Sequence, residues 1–265
     1  MTTIVRAATD SSTMLRRNLL RMVRYPSMTL MLVGMPIVFL LLFVYVFGAT
    51  LGAGIGAGGS GTDGRTAYLG YVVPGILLMT VAAAANGTAV TVSMDMTQGL
   101  IARFKTMPIA RVAVLTGHVV GNVVQSLIGV AVVLGVALLL GYRPAAGPLG
   151  WLGATGLLAL IAFAMTWLSV ALGLVAKNVE SASNLPMPLT FLPFLGSGFV
   201  PTDSLPVGLA WFAEHQPFTP MIEGVRGLLS GTPVGSAGWL AVGWSVLISA
   251  LGYLWARRLY DRRTG

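Results

Sequence analysis

The sequence MTLMLVGMPIVFLLLFVYVFG, residues 28–48, contains 21 consecutive residues without a charge. A helix of about 20 apolar residues is long enough to cross the hydrocarbon core of a bilayer. Similar runs recur along the chain, and between Met28 and Asn86 only Asp63 and Arg65 are charged. This pattern predicts an all-α, polytopic membrane protein.

The composition of the chain agrees with a membrane protein. Of its 265 residues, 55% are hydrophobic and 9% are charged, and the mean hydropathy is +0.83, whereas soluble domains have about 25% charged residues. The net charge of +8 does not indicate a nucleic-acid partner, because no cluster of Lys and Arg alternates with stacking aromatics. The chain has no cysteine, which excludes disulfides and thiolate metal sites.

Charged residues divide the chain into six predicted membrane spans, which together form a transmembrane domain over 28–256. The spans are 28–48, 67–92, 113–141, 151–175, 186–201 and 236–256. The fifth span is short and contains four prolines, at Pro186, Pro188, Pro193 and Pro201. Because proline removes a helical hydrogen bond, we expect this helix to be kinked or broken.

The distribution of Lys and Arg predicts the orientation of the spans. If the N-terminus lies inside, thirteen of the sixteen Lys and Arg residues are cytoplasmic, including those of the tail 257–265. The other three are Arg65, Arg143 and Arg226. The positive-inside rule therefore predicts that both termini are cytoplasmic.

The N-terminal segment 1–27 is predicted to contain an interfacial amphipathic helix. Its apolar residues and its arginines lie on opposite helical faces. The apolar face contains Leu15, Leu19, Met22 and Val23, and the basic face contains Arg16, Arg17, Arg21 and Arg24. An ordinary positive flank that sets the topology is the alternative interpretation.

The inner loop 94–118 contains GLIARFKT, which is similar to a phosphate-binding loop. That motif requires Gly immediately before its Lys, and here Phe104 precedes Lys105. We therefore expect no ATP hydrolysis by this chain through such a loop, no bound cofactor or metal, and no catalytic residue.

Polar residues within the predicted spans are few. His118 lies near the inner end of span three and forms a helical stripe with Asn122, Gln125 and Gly129, and Asn86 lies in the polar inner half of span two. Three interpretations are open for the stripe: helix packing, the lining of a substrate path, and a proton relay. No span has a carboxylate in its middle, which disfavours transport driven by protons or sodium.

The segment FAEHQPFTPMIEGVRGLLSG, residues 212–231, is too polar to span a bilayer. It lies within 203–230, which we predict to form two short helices on the outer face, one capped by Ser204 and the other by Thr219 with Pro220 following. Because neither helix is long enough to cross, the prediction is a re-entrant hairpin between spans five and six.

Two further features concern the second hairpin helix. Gly231 is suited to end it, since glycine tolerates the left-handed conformation common after a helix. Glu223 and Arg226 are three residues apart and can form an ion pair on its surface.

The chain resembles the ABC-2 type permeases, specifically the daunorubicin-resistance-like branch of bacterial drug exporters. The resemblance is most specific over 199–231, and the inner loop resembles the family at Gly99, Pro108, Arg111 and Gly117. Gln216 stands where the family often has Asn, and many members carry an acid near Gln98. The matching residues of the outer segment are Pro201, Leu205, Pro206, Pro217, Thr219, Pro220, Glu223 and Arg226.

The resemblance implies a fold of the ABC-2, or type V exporter, kind in the bacterial plasma membrane. It implies two permeases, expected to be a homodimer, with two copies of a separate ATPase subunit that binds ATP and Mg. The expected cargo is an amphiphilic, drug-like compound, and a lipid or lipid-linked glycan is the alternative within the family. An ion-coupled transporter and a membrane scaffold are alternatives from other classes.

The resemblance also assigns roles to residues. The outer hairpin, with Pro206, Pro217, Thr219, Pro220, Glu223 and Arg226, is expected to help close the exit. Coupling to the ATPase is expected at the N-terminal helix and the inner loop, at Arg16, Arg17, Arg21, Gln98, Gly99, Arg103, Lys105, Pro108 and Arg111.

Overall fold

The structure is a computed structural model that describes residues 26–54, 62–97 and 111–264. Within these ranges the regular elements are helices, and no strand is present. The α-helices are α1 (Pro26–Leu42), α2 (Gly48–Gly54), α3 (Thr62–Thr97), α4 (Arg111–Leu139), α5 (Pro148–Val175), α6 (Val179–Asn184), α7 (Met187–Phe191), α8 (Val207–His215), α9 (Phe218–Ser230) and α10 (Gly235–Thr264).

Five helical segments of the described part are long and apolar enough to cross a membrane, which confirms the prediction of a polytopic helical protein. They are Val33–Gly52, Gly64–Thr97, Thr116–Leu139, Pro148–Val175 and Gly235–Tyr260. The first combines α1 and α2, because a single π-helical turn, Phe43–Phe47, joins them without a break.

The fifth predicted span, 186–201, is not a continuous helix, and it is broken as its prolines predict. Helix α7 has only five residues, a 3₁₀ turn follows at Leu192–Leu195, and irregular backbone then leads to Pro201. Proline cannot donate a hydrogen bond, and four prolines in 16 residues prevent a regular i→i+4 ladder. A count of six membrane-spanning helices is therefore not confirmed; 183–201 is called the interrupted segment below.

The long helix α3 lies at the centre of the fold and contacts α1, α2, α4, α5 and the interrupted segment. Its buried side chains include Leu69, Ile76 and Leu77. Two close backbone approaches set this packing. A Cβ added at Gly75 would lie 2.7 Å from the carbonyl oxygen of Gly198, and one at Gly173 would lie 2.5 Å from that of Ala89.

Helix α10 packs mainly on α5 and leaves its other side exposed. Their contact is close at Gly252, where an added Cβ would lie 2.8 Å from the backbone nitrogen of Leu168. The exposed side of α10 is apolar and includes Trp239, Leu251 and Trp255. Such a surface is suited to lipid rather than water.

An aromatic cluster holds the first span against the interrupted segment. The rings of Phe194 and Phe199 stack with centroids 4.3 Å apart. Phe43 lies 4.7 Å from Phe199, and Phe39 lies 5.4 Å from Phe194 in an edge-to-face arrangement. Aromatic pairs in these geometries stabilise contacts beyond the area that they bury.

The outer segment forms two short helices, α8 and α9, but their predicted caps are wrong. Helix α8 begins after Pro206, and the hydroxyl of Ser204 instead donates to the carbonyl of Pro201. Helix α9 begins after Pro217, so Thr219 lies inside its first turn and is not its cap. Proline at these positions fixes φ, which replaces the expected side-chain cap as the start signal.

The predicted end of α9 is confirmed. Gly231 follows the last helical residue with φ +69°, a left-handed conformation, and its amide bonds to the carbonyl of Gly227. A Cβ there would also lie 3.1 Å from the carbonyl oxygen of Ala145. Any other residue at this position would therefore have a strained backbone and a close contact with Ala145.

The predicted coupling residues fall mostly outside the described residues. The interfacial helix, with Arg16, Arg17 and Arg21, precedes residue 26, and the stretch 98–110 contains Gln98, Gly99, Arg103, Lys105 and Pro108. Arg111 is the first residue of α4.

Candidate functional site

Two polar regions lie at opposite ends of the helix bundle. One surrounds the hairpin α8–α9, where α3 begins and α4 ends. The other lies where α3 ends and α4 begins. In the predicted orientation the first is the outer end and the second is the cytoplasmic end.

The hairpin is fixed to the interrupted segment by side chains of its own connection. The side-chain amide of Gln216 donates to the carbonyl of Leu192 over 3.2 Å. Thr219 accepts from the amide of Ser197 over 3.4 Å and donates its hydroxyl to the carbonyl of Ala213 on α8. Thr219 therefore joins both hairpin helices to irregular backbone that lacks helical partners.

A glycine at position 196 leaves room for this docking. A Cβ there would lie 2.6 Å from Nε2 of Gln216 and 2.8 Å from Oγ1 of Thr219. The side chains of Gln216 and Thr219 therefore occupy the space that Gly196 leaves open, and both are buried.

Arg226 does not form the predicted ion pair with Glu223 on the surface of α9. Its Nη2 donates to the carbonyl oxygens of Ser197, over 2.5 Å, and Tyr71, over 3.3 Å. Its guanidinium carbon lies 4.0 Å from the centroid of the Tyr71 ring. Glu223 is exposed to solvent instead.

The physical reason is that Arg226 points into the bundle from the buried face of α9. There it supplies donors for the carbonyls that the broken helix leaves free, and it stacks on an aromatic face. Burial lowers the pKa of Arg226, an effect that Tyr71 and, at longer range, Glu223 oppose. Arginine stays protonated under such shifts, so its positive charge is retained inside the protein.

A cavity of about 600 Å³ opens beside Arg226 at the outer end. Its walls come from separate parts of the chain: the start of α3, the loop between α4 and α5, the last residue of the interrupted segment, Pro201, and α9. The side chains that can interact with a charged ligand are Tyr71, Tyr142, Arg143 and Arg226.

At the opposite end, a buried contact between a histidine and an aspartate joins α3 to α4. Nε2 of His118 lies 3.0 Å from Oδ2 of Asp95, and both side chains are almost fully buried. The sequence-based interpretation placed His118 near the end of span three but missed Asp95, because the second span was predicted to end at 92. Helix α3 continues to Thr97, and no Gly or Pro between 92 and 97 was present to stop it.

This pair changes one conclusion drawn from the sequence. The absence of a carboxylate in the middle of a span was an argument against ion coupling; Asp95 lies near the end of α3 and not in its middle, but it is a buried carboxylate that the sequence analysis missed. Asp95 lies two residues before the end of α3 and His118 seven residues after the start of α4, so the contact joins these helices near the ends that the stretch 98–110 connects.

Asn122 lies one helical turn after His118 on α4 and also contacts α3. Its Nδ2 donates to the carbonyl of Ala84 on α3 over 2.7 Å, and its Oδ1 accepts from Thr166 on α5 over 2.7 Å and from Ser126 over 3.3 Å. One amide therefore links three helices, which is how polar side chains hold transmembrane helices together.

The other polar residues singled out within the predicted spans are more peripheral. Gln125 is half-buried. Asn86 lies on the far side of α3 and donates to the hydroxyl of Thr190 on the interrupted segment over 2.5 Å. The structure thus separates the predicted set into His118 and Asn122, which contact α3 from α4, and Asn86, which contacts a different neighbour. No group of three or more His, Asp or Glu that could hold a metal ion occurs among the described residues.

Comparison with known proteins identifies the family of this chain. The family model for the ABC-2 type transporter matches residues 9–229. The chain is 30% identical over 245 residues to the daunorubicin resistance ABC transporter permease protein DrrB1 of Streptomyces coeruleorubidus, covering 92% of this chain and 82% of that protein.

A second relative is the probable doxorubicin resistance ABC transporter permease protein DrrC of Mycobacterium tuberculosis (strain CDC 1551 / Oshkosh). It is 29% identical over 166 residues, which are 62% of this chain and 59% of the relative. The long helices, the interrupted segment and the docked hairpin all lie within or directly after the matched region. This chain belongs to the ABC-2 type transporter family and is a homologue of its drug-resistance permeases.

Proposed function

We propose that this chain is the transmembrane subunit of an ATP-driven exporter that moves amphiphilic, drug-like compounds out across the bacterial plasma membrane. The observation that carries the proposal is the similarity to a daunorubicin resistance permease over 92% of the chain. An alignment of that extent leaves out less than a tenth of the chain, so it supports a shared transport role and not only a shared helix count.

Energy for transport comes from a separate ATPase subunit in this proposal. The sequence supports this division, because Phe104 occupies the position where a phosphate-binding loop needs Gly. Two copies of this chain and two ATPases form the exporter, with ATP and Mg bound by the ATPases. The N-terminal segment and the inner loop around Gly99 and Arg103 dock on them.

The hairpin α8–α9 acts as the outer closure of the path. Its contacts favour this role: Gln216, Thr219 and Arg226 all bind backbone of the interrupted segment rather than another regular helix. At 1.5 Å per residue, α8 and α9 extend only about 14 and 20 Å, so the hairpin enters the outer leaflet and returns. Irregular backbone is tolerated at that depth where protein covers it.

The proposal is tested in inverted membrane vesicles that contain this chain together with its ATPase. We expect ATP-dependent accumulation of daunorubicin, followed by its fluorescence, and no accumulation with this chain alone. A fluorescent phospholipid analogue, supplied in parallel, tests the lipid alternative. Accumulation that persists without the ATPase but collapses with the proton gradient would refute the proposal in favour of ion coupling.

A variant separates coupling from transport in the same vesicles. Replacing residues 99–103 by a Gly/Ser segment should leave insertion unchanged and leave ATP hydrolysis no longer stimulated by the drug. The unmodified chain is the control, and its ATP hydrolysis should be stimulated by the drug. Equal transport by the variant and the unmodified chain would place the coupling surface elsewhere.

A further inference from the structure

The three cations predicted on the outer face are not distributed evenly. Two of them, Arg143 and Arg226, line the same cavity, although 83 residues separate them in the chain. The third, Arg65, lies 5.2 Å from the ring of Tyr45 and does not line it. The fold therefore concentrates positive charge at one outer opening.

Among the described residues no acid forms a salt bridge with either cavity arginine, and Glu223 acts on Arg226 only at longer range. Arg226 donates to the carbonyls of Ser197 and Tyr71, and Arg143 donates to those of Leu138 and Tyr142 over 3.0 and 3.1 Å. Carbonyls satisfy hydrogen bonds but carry no net charge. The lining of the cavity contains no acidic side chain among the described residues, and the buried Nε of Arg226 has no acceptor among them.

Arg226 is half-buried, and a partly desolvated cation is stabilised when a ligand supplies the opposite charge at close range. Tyr142 adds a phenol to the same wall and is itself buried. Burial raises the pKa of Tyr142, an effect that Arg226 opposes, so the phenol remains a hydrogen-bond donor at neutral pH. Two guanidinium groups and a phenol form a donor set suited to an oxyanion.

The position of the cavity further restricts the class of ligand that can reach it. It opens where α3 begins and α4 ends, at the level where the apolar parts of these helices give way to loops, which corresponds to the headgroup region of the outer leaflet. Its volume of about 600 Å³ is large enough for a headgroup and lies within the range of small-molecule sites.

We propose that this cavity is a binding site for a phosphate-bearing anion, with Arg143 and Arg226 as its cationic ligands and Tyr142 as a neutral donor. An anionic phospholipid headgroup of the outer leaflet and free phosphate share this chemistry. The site is independent of the exported cargo, so the proposal stands or falls separately from the export function. A cationic drug is not its ligand, because two arginines repel it.

The test uses the purified full chain in a maltoside detergent and native mass spectrometry. Dihexanoyl phosphatidylglycerol, which is anionic, is titrated against dihexanoyl phosphatidylcholine, which carries the same phosphate but no net charge. We expect the anionic lipid to bind at least about tenfold more tightly, because the two arginines repel the choline cation of the zwitterionic lipid. Equal binding of the two lipids would overturn the proposal.

Three variants locate the site. Arg143→Gln should weaken phosphatidylglycerol binding by about three- to tenfold, because its side chain is exposed and partly screened. Arg226→Lys, which keeps the charge, should retain part of the affinity, and Arg226→Gln should lose it. The matched control is Arg65→Gln, which removes an outer arginine that lies outside the cavity and should bind as the parent does.

Arg226→Gln also removes contacts that hold the hairpin. If that variant does not fold, the binding measured for Arg143→Gln and Arg226→Lys tests the site. An Arg143→Gln variant that binds as tightly as Arg65→Gln would refute the site. A final arm adds inorganic phosphate: displacement of the lipid at millimolar phosphate identifies a site for the free anion, and lipid binding that resists it identifies the headgroup.

Discussion

Asp95 and His118 lie 3.0 Å apart and link the end of α3 to the beginning of α4. They are 23 residues apart in the chain, and the stretch between them contains the inner loop that we propose to contact the ATPase. A buried polar contact at the base of that loop can transmit a movement of the loop to the two helices, because breaking it without access to water is unfavourable.

Substitutions of Asp95 and His118 should destabilise the protein, and their effects should not be additive. We expect Asp95→Asn and His118→Gln each to lower the free energy of unfolding, and the double variant to lose less than the sum, with a coupling energy of about 1 to 3 kcal/mol. Denaturant unfolding of the four proteins in detergent measures this cycle. Glu180→Gln, at an exposed acid on α6, is the control and should have little effect. Strict additivity of the two single variants would show that the pair contributes no mutual stabilisation.

The contact between α3 and the interrupted segment should not tolerate a side chain at Gly75. A Cβ there would lie 2.7 Å from the carbonyl oxygen of Gly198 and 2.9 Å from its Cα, and backbone cannot yield as a flexible side chain can. We expect Gly75→Ala to destabilise the protein by about 1 to 3 kcal/mol. Gly87→Ala, in the same helix, meets nothing within 4 Å and should be neutral or stabilising by up to about 1 kcal/mol. Thermal unfolding of both variants checks the difference in sign, and equal melting temperatures would contradict the close approach.

The two polar side chains of α4 should behave differently when removed. Asn122→Ala loses bonds to Ala84, Ser126 and Thr166, and we expect it to lower stability by about 1 to 3 kcal/mol because buried partners lose their bonds. Gln125→Ala should change stability by less than about 0.5 kcal/mol, since its side chain is only half-buried. Drug transport by both variants distinguishes packing from path lining: a stable Gln125→Ala protein with altered drug specificity would place Gln125 on the path.

Topology can be tested directly, because the chain has no cysteine. Glu214→Cys and Glu223→Cys, at exposed positions of α8 and α9, should react with an impermeant thiol reagent added to intact cells. Lys177→Cys, exposed after α5, should react only after the membrane is opened. Arg226→Cys should label more slowly than Glu223→Cys, because position 226 faces the bundle. Labelling of Lys177→Cys alone in intact cells would invert the predicted orientation.

Much of the fold follows from the sequence because the bilayer limits the choices. Long charge-free runs must be helical in lipid, and five of the six predicted runs lie in helices long enough to cross. Gly231 as the end of α9 was equally readable, since a glycine after an apolar helical face is a local signal. The starts of α8 and α9 could not be predicted from the sequence. Ser204 and Thr219 both match the local pattern of a cap, but Ser204 bonds within a turn and Thr219 makes tertiary hydrogen bonds.

The remaining features depend on which residues meet in space. By itself the sequence determined an all-α membrane protein of several apolar helices and a polar outer segment with two short helices, because apolar run length and loop charge act locally. Only the tertiary structure decided that Asp95 is buried against His118, that Arg226 turns inward to Ser197 and Tyr71 rather than to Glu223, and that Arg143 and Arg226 share one cavity. These pairings join helices distant in sequence, and periodicity specifies the face of a helix but not the neighbour that covers it.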